Sequence, residues 1–227
     1  MGEARLRREY SLYIVESLDS ARGEKLGSIE IRPVRPDDLD AVYAIALKTG
    51  ANGEDATALY ADPRLVGHVY AAPYVLLAPE SAFVVEDGQG AGGYIVGAPD
   101  TRAFEARLEA EWWPALRGRY PNPSPPHEGW SADERMAFLI HHPFRVPSRI
   151  LADHPSHLHV NLLPRLQGRG VGSRLMDVFL ARMKELGSPG VHLGVGGANA
   201  RGRAFYAAYG FTVLEEGAHT VWCGIRL

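Results

Sequence analysis

Residues 164–172 read Pro164-Arg165-Leu166-Gln167-Gly168-Arg169-Gly170-Val171-Gly172 and connect a predicted strand, His157 to Leu163, to a predicted amphipathic helix, Ser173 to Leu186. The glycines of this loop allow successive backbone N–H groups to turn toward one point, and the dipole of the following helix adds positive potential there. Arg165, Arg169 and Arg174 add full charges. The loop therefore predicts a phosphate or pyrophosphate site, and a tight turn that merely uses glycine is the alternative.

Two better-known phosphate loops do not fit this stretch. The loop of nucleoside triphosphatases follows the pattern GxxxxGK[ST], and no lysine lies nearby in this chain. The dinucleotide-binding pattern is GxGxxG, whereas Gly168, Gly170 and Gly172 run as GxGxG and lie late in the chain. Neither of those two nucleotide-binding classes is indicated.

The segment before this strand predicts a strand, two helices and a hairpin. Ser28 to Pro33 alternates like a strand, and Asp37-Asp38 precedes a helical stripe as a capping residue would. A second helix is predicted from Glu54 to about Tyr60, and prolines predict an irregular segment after it. The turn Asp87-Gly88-Gln89-Gly90 predicts a hairpin between strands Ala82 to Glu86 and Gly92 to Val96. The stripe consists of Leu39, Val42, Tyr43, Ile45 and Ala46, and the prolines are Pro63, Pro73 and Pro79.

Residues 100–153 interrupt the strand pattern with two predicted helices, Arg102 to Tyr120 and Ser131 to His141, on either side of a proline-rich stretch. We interpret this segment as a helical insertion or lid. Trp112 and Trp113 are adjacent on its first helix. They could line a ligand cleft, or they could simply anchor the helix to the core.

The chain after the loop returns to alternating elements, with a strand at Val191 to Val195, a helix at Arg201 to Tyr209 and closing strands from Val213 to Leu227. Residues 1–27 begin with several arginines and are interpreted as an arm before one domain over residues 28–227.

Composition limits the possible functions. The chain has 227 residues, 46% of them apolar, with 24 basic and 27 acidic side chains and a net charge of -3. This charge provides no field that would attract nucleic acid or an anionic membrane. Cys223 is the single cysteine and no signal peptide is evident, so we expect a cytoplasmic protein. The most apolar stretch, Val69 to Leu77, is far shorter than the ~20 residues of a membrane helix.

Two motifs together resemble the GNAT superfamily of acyl-CoA-dependent N-acetyltransferases. The first is Gln167-Gly168-Arg169-Gly170-Val171-Gly172, which matches the family's Gln/Arg-x-x-Gly-x-Gly/Ala loop after the fourth strand. The second runs from Asn199 through Tyr206 to Gly210-Phe211 and matches the family's Asn-x6-Tyr-x3-Gly-Phe run. The resemblance covers about Ser28 to Leu227 and implies an α/β GNAT fold. In that fold a central mixed, mostly antiparallel twisted sheet is flanked by helices, and here a helical insertion would separate the third and fourth strands.

A narrower resemblance is carried by Thr49 to Ala56, by Gly67-His68-Val69-Tyr70 and by the helix Glu111-Trp112-Trp113-Pro114. These stretches are similar to the acetyltransferase-like domain of animal O-GlcNAcases and its free-standing bacterial relatives. The resemblance leaves open whether catalysis is retained or only binding of acyl-CoA or a protein partner.

The family resemblance implies acetyl-CoA as the cofactor and assigns residues to it. The amides of the loop would hold the CoA pyrophosphate, while Leu162 and Leu163 would offer backbone groups to the pantetheine arm and the thioester. The side chain of Asn199 would hydrogen-bond the cofactor, Arg203 or Arg201 would meet further phosphate charge, and Tyr206 would protonate the leaving thiolate. The loop residues so assigned are Gln167, Gly168, Arg169, Gly170, Val171, Gly172 and Ser173.

The mechanism implied by the resemblance is direct attack of an amine on the thioester, with an amide at Leu163 or its neighbour stabilising the oxyanion. We favour His159 as the catalytic base, because an ordinary pKa near 6.5 suits proton acceptance at neutral pH. A histidine with only a structural role is the alternative for His159. The other candidates for the base are Asp153, His157, Glu54 and Asp55.

A metal site is not predicted. His157 and His159 project from one face of a strand, with His154 nearby, but no cysteine or suitably spaced carboxylate completes a closed site. Cys223 is predicted to be a small core residue. The expected function is transfer of acetyl to an amine of a small molecule or a protein lysine, and a homodimer is possible. Acidic residues of the early loops and the insertion, including Glu54, Asp55 and Glu111, would either attract the amine or be ordinary surface charge.

Overall fold

A seven-stranded sheet with the order β1-β2-β3-β4-β5-β7-β6 forms the centre of the computed structural model, which describes residues 29–227. All neighbouring strands are antiparallel except β4 and β5, which are parallel. The predicted mixed, mostly antiparallel sheet is therefore confirmed. The strands are β1 (Glu30–Pro33), β2 (Ala82–Asp87), β3 (Gly90–Ala98), β4 (Ser156–Leu162), β5 (Gly190–Gly196), β6 (Thr212–Glu216) and β7 (Thr220–Arg226).

Helices cover both faces of the sheet, because consecutive strand residues supply two separate apolar cores. Val84 belongs to one core and Val85 to the other. The helices before β4 pack on the first face, and the long helix after the glycine loop packs on the second through Leu175 and Phe179. The helices are α1 (Leu39–Lys48), α2 (Leu65–Tyr70), α3 (Ala72–Leu77), α4 (Thr101–Arg107), α5 (Trp113–Arg119), α6 (Ala132–His141), α7 (Ser148–Leu151), α8 (Val171–Glu185) and α9 (Ala200–Tyr209).

The helical insertion lies between β3 and β4, as predicted, and consists of α4 to α7. Its first predicted helix is continuous but contains a π-helical turn, Leu108–Trp112, between α4 and α5. Pro114 is the second residue after this turn, and a wider turn accommodates a ring that would clash with the carbonyl four residues earlier. Trp113 is buried in the core, and the indole N–H of Trp112 donates to the His68 carbonyl at 2.9 Å.

Two predictions for the early segment were wrong. Glu54 to Tyr60 forms turns instead of a helix, because the Asp55 carboxylate accepts from both the amide and the hydroxyl of Thr57. The segment expected to be irregular contains α2 and α3. Pro73 did not prevent this, because it lies in the first turn of α3, where its missing N–H has no partner to lose.

The Asp38 side chain does not cap α1 as predicted. Its carboxylate instead accepts from the Arg35 amide at 2.7 Å and from two N–H groups of Arg32. Asp38 thus ties β1 to the start of α1, and the Arg32 guanidinium holds the pKa of its carboxyl below the usual value.

Residues 1–28, including the predicted arm, lie outside the described residues. Among residues 29–227, no helix combines the length and apolarity that crossing a membrane requires.

Candidate active site

The parallel strands β4 and β5 separate soon after they meet. Only Ser156 with Val191 and His157 with His192 are paired between them. On its other edge β4 stays paired with β3 along its length, and the Leu163 amide extends this ladder by donating to the Gly92 carbonyl at 2.8 Å. A gap therefore opens between β4 and β5 toward the glycine loop.

Alternation along the antiparallel ladder determines which backbone groups face this gap. Since Leu163 bonds toward β3, the backbone groups of Val160 and Leu162 point the opposite way, into the gap. The Leu162 carbonyl is already used by the side-chain amide of Gln167, which donates to it at 2.6 Å. The sequence prediction is corrected in one respect: the amide of Leu163 is used within the sheet, and its neighbour Leu162 presents an N–H to the gap.

The glycine loop takes a left-handed conformation at two positions, with φ of 69° at Gly168 and 73° at Gly170. Gly170 is the residue before α8, a helix of 15 residues. The amides of Val171, Gly172 and Ser173 in its first turn have no carbonyl within the helix to bond to. These three N–H groups and the helix dipole together form a site suited to an anion.

The arginines near the loop are arranged differently from the prediction. Arg165 points away, because its guanidinium donates to the Asp87 carboxylate at 3.0 Å and to the Gly90 carbonyl at 3.1 Å. Arg203 faces Glu216 at 3.5 Å, whereas Arg201 lines the groove beside the loop and lies 3.6 Å from Glu54. Of the two arginines that the resemblance assigned to phosphate, Arg201 lines the groove and Arg203 does not.

The gap and the loop together form a groove of about 670 Å³. The side chain of Asn199 lines it, but its oxygen caps α9 by accepting from the Gly202 amide at 2.8 Å. The Asn199 NH₂ group and the second lone pair of its oxygen are left to reach a ligand. The residues lining the groove include Thr49, Asn52, Tyr70, Tyr94, His159, Val160, Asn161, Leu162, Gln167, Gly168, Gly170, Gly172, Ser173, Asn199, Arg201, Phe205 and Tyr206.

Tyr206 lines the groove from α9. Burial raises the pKa of its hydroxyl to about 12, so the group keeps its proton at neutral pH. The ring is held edge-on against the buried Phe211, with ring centroids 5.9 Å apart. Tyr206 is therefore a positioned O–H donor in the wall of the groove.

A second cavity of about 540 Å³ lies between the insertion and strands β4, β5 and β7. Tyr70 and His159 line both this cavity and the groove, so the two spaces meet at these side chains. The walls of the cavity are mainly aromatic and aliphatic. They include Tyr74, Phe104, Leu108, Trp113, Leu139, Phe144, Val146, Leu158 and Trp222.

Behind His159, a chain of hydrogen bonds runs through Tyr74 to His157 and Thr101. The Tyr74 hydroxyl lies 3.2 Å from His159 Nε2 and 2.9 Å from His157 Nε2, and His157 Nδ1 lies 2.8 Å from the Thr101 hydroxyl. Thr101 donates in turn to the Pro155 carbonyl at 2.7 Å.

The Pro155 carbonyl at the end of these hydrogen bonds determines which group donates in each of them. A carbonyl oxygen carries no hydrogen, so the Thr101 hydroxyl must donate to Pro155 and accept from Nδ1–H of His157. The Nε2 atom of His157 then accepts from the Tyr74 hydroxyl, which accepts in turn from Nε2–H of His159. In neutral His159 this leaves the lone pair on Nδ1.

Burial lowers the pKa of His159 to about 4 and that of His157 well below its ordinary value. Both rings are therefore neutral at physiological pH, which agrees with the direction of the hydrogen bonds. The expectation that His159 would keep an ordinary pKa is wrong, because no carboxylate among the groups that affect its titration compensates for its desolvation.

Of the other candidate bases, His157 lies behind Tyr74 in this hydrogen-bonded chain, whereas the carboxylates Asp153, Glu54 and Asp55 line neither the groove nor the cavity. Asp153 precedes β4, whose seven residues span about 20 Å, and its side chain is 63% exposed in an ion pair with Arg226. Glu54 is an exposed partner of Arg201, and Glu111 pairs with Arg107 at 2.9 Å. Neither Asp153 nor Glu111 lines the groove or the cavity.

Within residues 29–227, no three His, Cys, Asp or Glu side chains cluster closely enough to share a metal ion. His157 and His159 share the Tyr74 hydroxyl instead, and His154 lies apart from both, with its carbonyl accepting from Nδ1 of His192. Cys223 is buried, and burial raises the pKa of its thiol.

Sequence reasoning missed Tyr70, Tyr74 and Thr101. The two tyrosines lie in the most apolar stretch of the chain, and although Tyr70 belongs to a motif similar to O-GlcNAcases, the sequence assigned neither tyrosine a role at the site. Their spacing of four residues could have indicated one face of a helix, but nothing in the local sequence links them to His159.

A protein-family model described as "Acetyltransferase (GNAT) family" matches residues 68–211, which is more than half of the chain. The solved structure of SsHAT is 43% identical, with a TM-score of 0.81 and coverage of 88% of this chain and 98% of that one. The PaiA N-acetyltransferase from Thermoplasma acidophilum, solved in complex with coenzyme A, shares the fold at 14% identity, with a TM-score of 0.54 and coverage of 88% and 99%.

Protein O-GlcNAcase of Rattus norvegicus and that of Mus musculus are each 26% identical over 180 residues, or 79% of this chain. The match spans only 20% of those relatives' length. The predicted similarity to the acetyltransferase-like domain of O-GlcNAcases is confirmed.

Proposed function

Because the chain belongs to the acetyltransferase (GNAT) family, we propose that it is an acetyl-CoA-dependent N-acetyltransferase in which an amine attacks the thioester directly. The observation that carries this proposal is the meeting of groove and cavity at His159 and Tyr70. A donor held in the groove and an acceptor held in the cavity would come together at one neutral imidazole.

The groove offers mainly backbone groups to acetyl-CoA. The amides of Val171, Gly172 and Ser173 would bind the pyrophosphate, and Arg201 would add charge at the mouth. The backbone groups that Val160 and Leu162 turn toward the gap would pair with the amides of the pantetheine arm as a neighbouring strand does. The N–H of Leu162 is also the group available to stabilise an oxyanion on the thioester carbonyl.

His159 would accept the proton that the attacking amine must lose. As the amine nitrogen bonds to the carbonyl carbon, its N–H becomes strongly acidic, so even an imidazole with a pKa of about 4 can accept the proton on Nδ1. Such a weak base does not deprotonate an ammonium ion efficiently. The acceptor would therefore react from the fraction that is already neutral, which the desolvating cavity increases.

Tyr206 would complete the reaction by donating its phenolic proton to sulfur as the carbon–sulfur bond breaks. Its raised pKa of about 12 keeps the donor protonated until the thiolate forms. Proton acceptance and donation would thus come from two groups, with His159 reaching the acceptor side and Tyr206 the groove.

Thiol release from acetyl-CoA in the presence of an amine panel tests this function. His159→Gln retains an N–H able to reach Tyr74 but lacks a basic nitrogen, so we expect turnover to fall by about 10²-fold with little change in acetyl-CoA affinity. Asp153→Asn is the matched control and should behave as wild type. Equal losses in both variants would contradict the assignment of His159.

Tyr206→Phe should also lower turnover by about 10²-fold while acetyl-CoA affinity stays the same. Tyr209→Phe, which removes a hydroxyl on α9 that bonds to Asp177, is its control. If wild-type protein binds acetyl-CoA by calorimetry but transfers acetyl to no amine, the catalytic function is refuted and a binding module is supported.

A further inference from the structure

We propose that the acceptor is a small primary amine with a flat, apolar, aromatic body that occupies the cavity beneath the insertion. This inference rests on the proposed function, because it places the amine at His159. It assigns the rest of the acceptor to the cavity walls, and so defines a class of substrate that the shared chemistry of the family does not specify.

The walls of the cavity favour an aromatic body. Tyr74 is stacked on Phe104 with ring centroids 4.5 Å apart, and Phe144 is stacked on Trp222 at 5.6 Å. Aromatic rings pack well against such side chains, in both stacked and edge-on geometries. Phe144 remains 62% exposed although it lies at the cavity, so a ligand would cover apolar surface that is now in contact with water.

The charges of the cavity argue against a second ammonium group on the acceptor. Glu105 accepts from Arg102 at 2.7 Å and from Arg145 at 3.1 Å, and Glu109 is held by two N–H groups of Arg117. These are the acidic side chains among the described residues that line the cavity, and both are already paired. A polyamine would find no free carboxylate there.

The shape of the site favours a small molecule over a protein segment. Its volume of about 540 Å³ lies within the range usual for small-molecule pockets. The edge of β4 that faces the cavity and groove is not free to pair with an extended peptide, since β3 occupies one side and the cofactor groove the other. The junction at His159 then leaves room for one amine and its attached body.

Two measurements test this inference. The first compares kcat/KM for 2-phenylethylamine, spermidine and an acetyl-capped lysine peptide at saturating acetyl-CoA. We expect kcat/KM for 2-phenylethylamine to be at least about 10-fold higher than for the other two amines. Burying its apolar ring is favourable, whereas burying a second, unpaired charge is costly. Preference for spermidine or the peptide would overturn the inference and leave the N-acetyltransferase function intact.

The second measurement fills the cavity. Val146 is half-buried in its wall, and Val146→Trp should raise KM for 2-phenylethylamine at least about 10-fold without changing acetyl-CoA affinity by calorimetry. Val213→Trp, on exposed β6, is the matched control. An unchanged KM in Val146→Trp would overturn the placement of the acceptor.

Direct binding separates failure of the inference from failure of the function. Calorimetry with 2-phenylethylamine on the CoA-bound protein should show binding in wild type and in Val213→Trp but not in Val146→Trp. Binding without acetyl transfer would refute the catalytic function and support the ligand class. Absence of binding would overturn the inference whatever the activity toward other amines.

Discussion

The groove and the cavity meet at the same two side chains, yet they are built in different ways. The groove takes most of its binding groups from the backbone of one short loop, residues 167–173, and of the adjacent strand. The cavity is made of side chains from α2, α3, the insertion and three strands. A backbone site needs glycines at set positions and so leaves a pattern in the sequence, whereas a side-chain site assembled from distant segments leaves none.

A substitution in the glycine loop tests the groove, whose binding groups come mainly from the backbone. Gly170→Asp places a carboxylate where the loop amides would hold phosphate, and we expect acetyl-CoA affinity to fall by at least about a hundredfold. Gly187→Asp is a matched control, since Gly187 also has positive φ and open space at the other end of α8. Calorimetry on both variants decides the matter, and equal affinities would refute the loop as the phosphate site.

The histidines at and beside the cavity should make the free energy of unfolding depend on pH. His192 is buried and His157 and His159 are partly buried, and desolvation lowers the pKa of each, to about 4 for His159 and His192. These rings become protonated below about pH 6.5 in the unfolded chain but stay neutral in the folded one. Their contribution to the free energy of unfolding is therefore fully present above about pH 7 and is lost as the pH falls toward 4. We expect the unfolding free energy to be at least ~2 kcal/mol lower at pH 5 than at pH 7.

Urea unfolding at the two pH values measures this difference. His192→Asn keeps a donor for the His154 carbonyl but cannot titrate, so it should reduce the difference. A stability that is the same at pH 5 and pH 7 would contradict the neutral state of these histidines.

Removal of the Tyr74 hydroxyl tests the role of the hydrogen-bonded chain behind His159. Tyr74→Phe keeps the stacking on Phe104 but removes the hydroxyl that orients His159 and His157. We expect kcat to fall about 10-fold with KM nearly constant, because His159 is no longer held in one tautomer. Nitrogen NMR of His159 should show mixed tautomers in the variant, and a single unchanged tautomer would contradict this role.

Substitution of the two arginines of α9, Arg201 and Arg203, tests how much charge beside the groove adds to acetyl-CoA binding. Arg201→Ala should weaken acetyl-CoA binding only about threefold, because an exposed charge adds little to a site built from backbone amides. Arg203→Ala should change it less, since that side chain faces Glu216. A larger loss from Arg203→Ala than from Arg201→Ala, measured by calorimetry, would reverse the assignment made from the structure.

The sequence predicted the strands, the glycine loop and α8, because alternation and glycine spacing are local properties. It could not predict that Arg201 rather than Arg203 faces the groove. Successive helical residues are rotated by 100°, so two positions move a side chain to the other side of the helix. The series of hydrogen bonds from Thr101 to His159 joins segments more than fifty residues apart in sequence, and only tertiary packing brings them together.

The π-helical turn Leu108–Trp112 holds one residue more than an ordinary α-helical turn. Removing a single residue there would restore an ordinary helix and rotate α4 relative to α5 by about 100°. Phe104 and Trp113, which both face the cavity, could then no longer do so together. A one-residue deletion at this turn would therefore reshape the cavity while the glycine loop stays untouched.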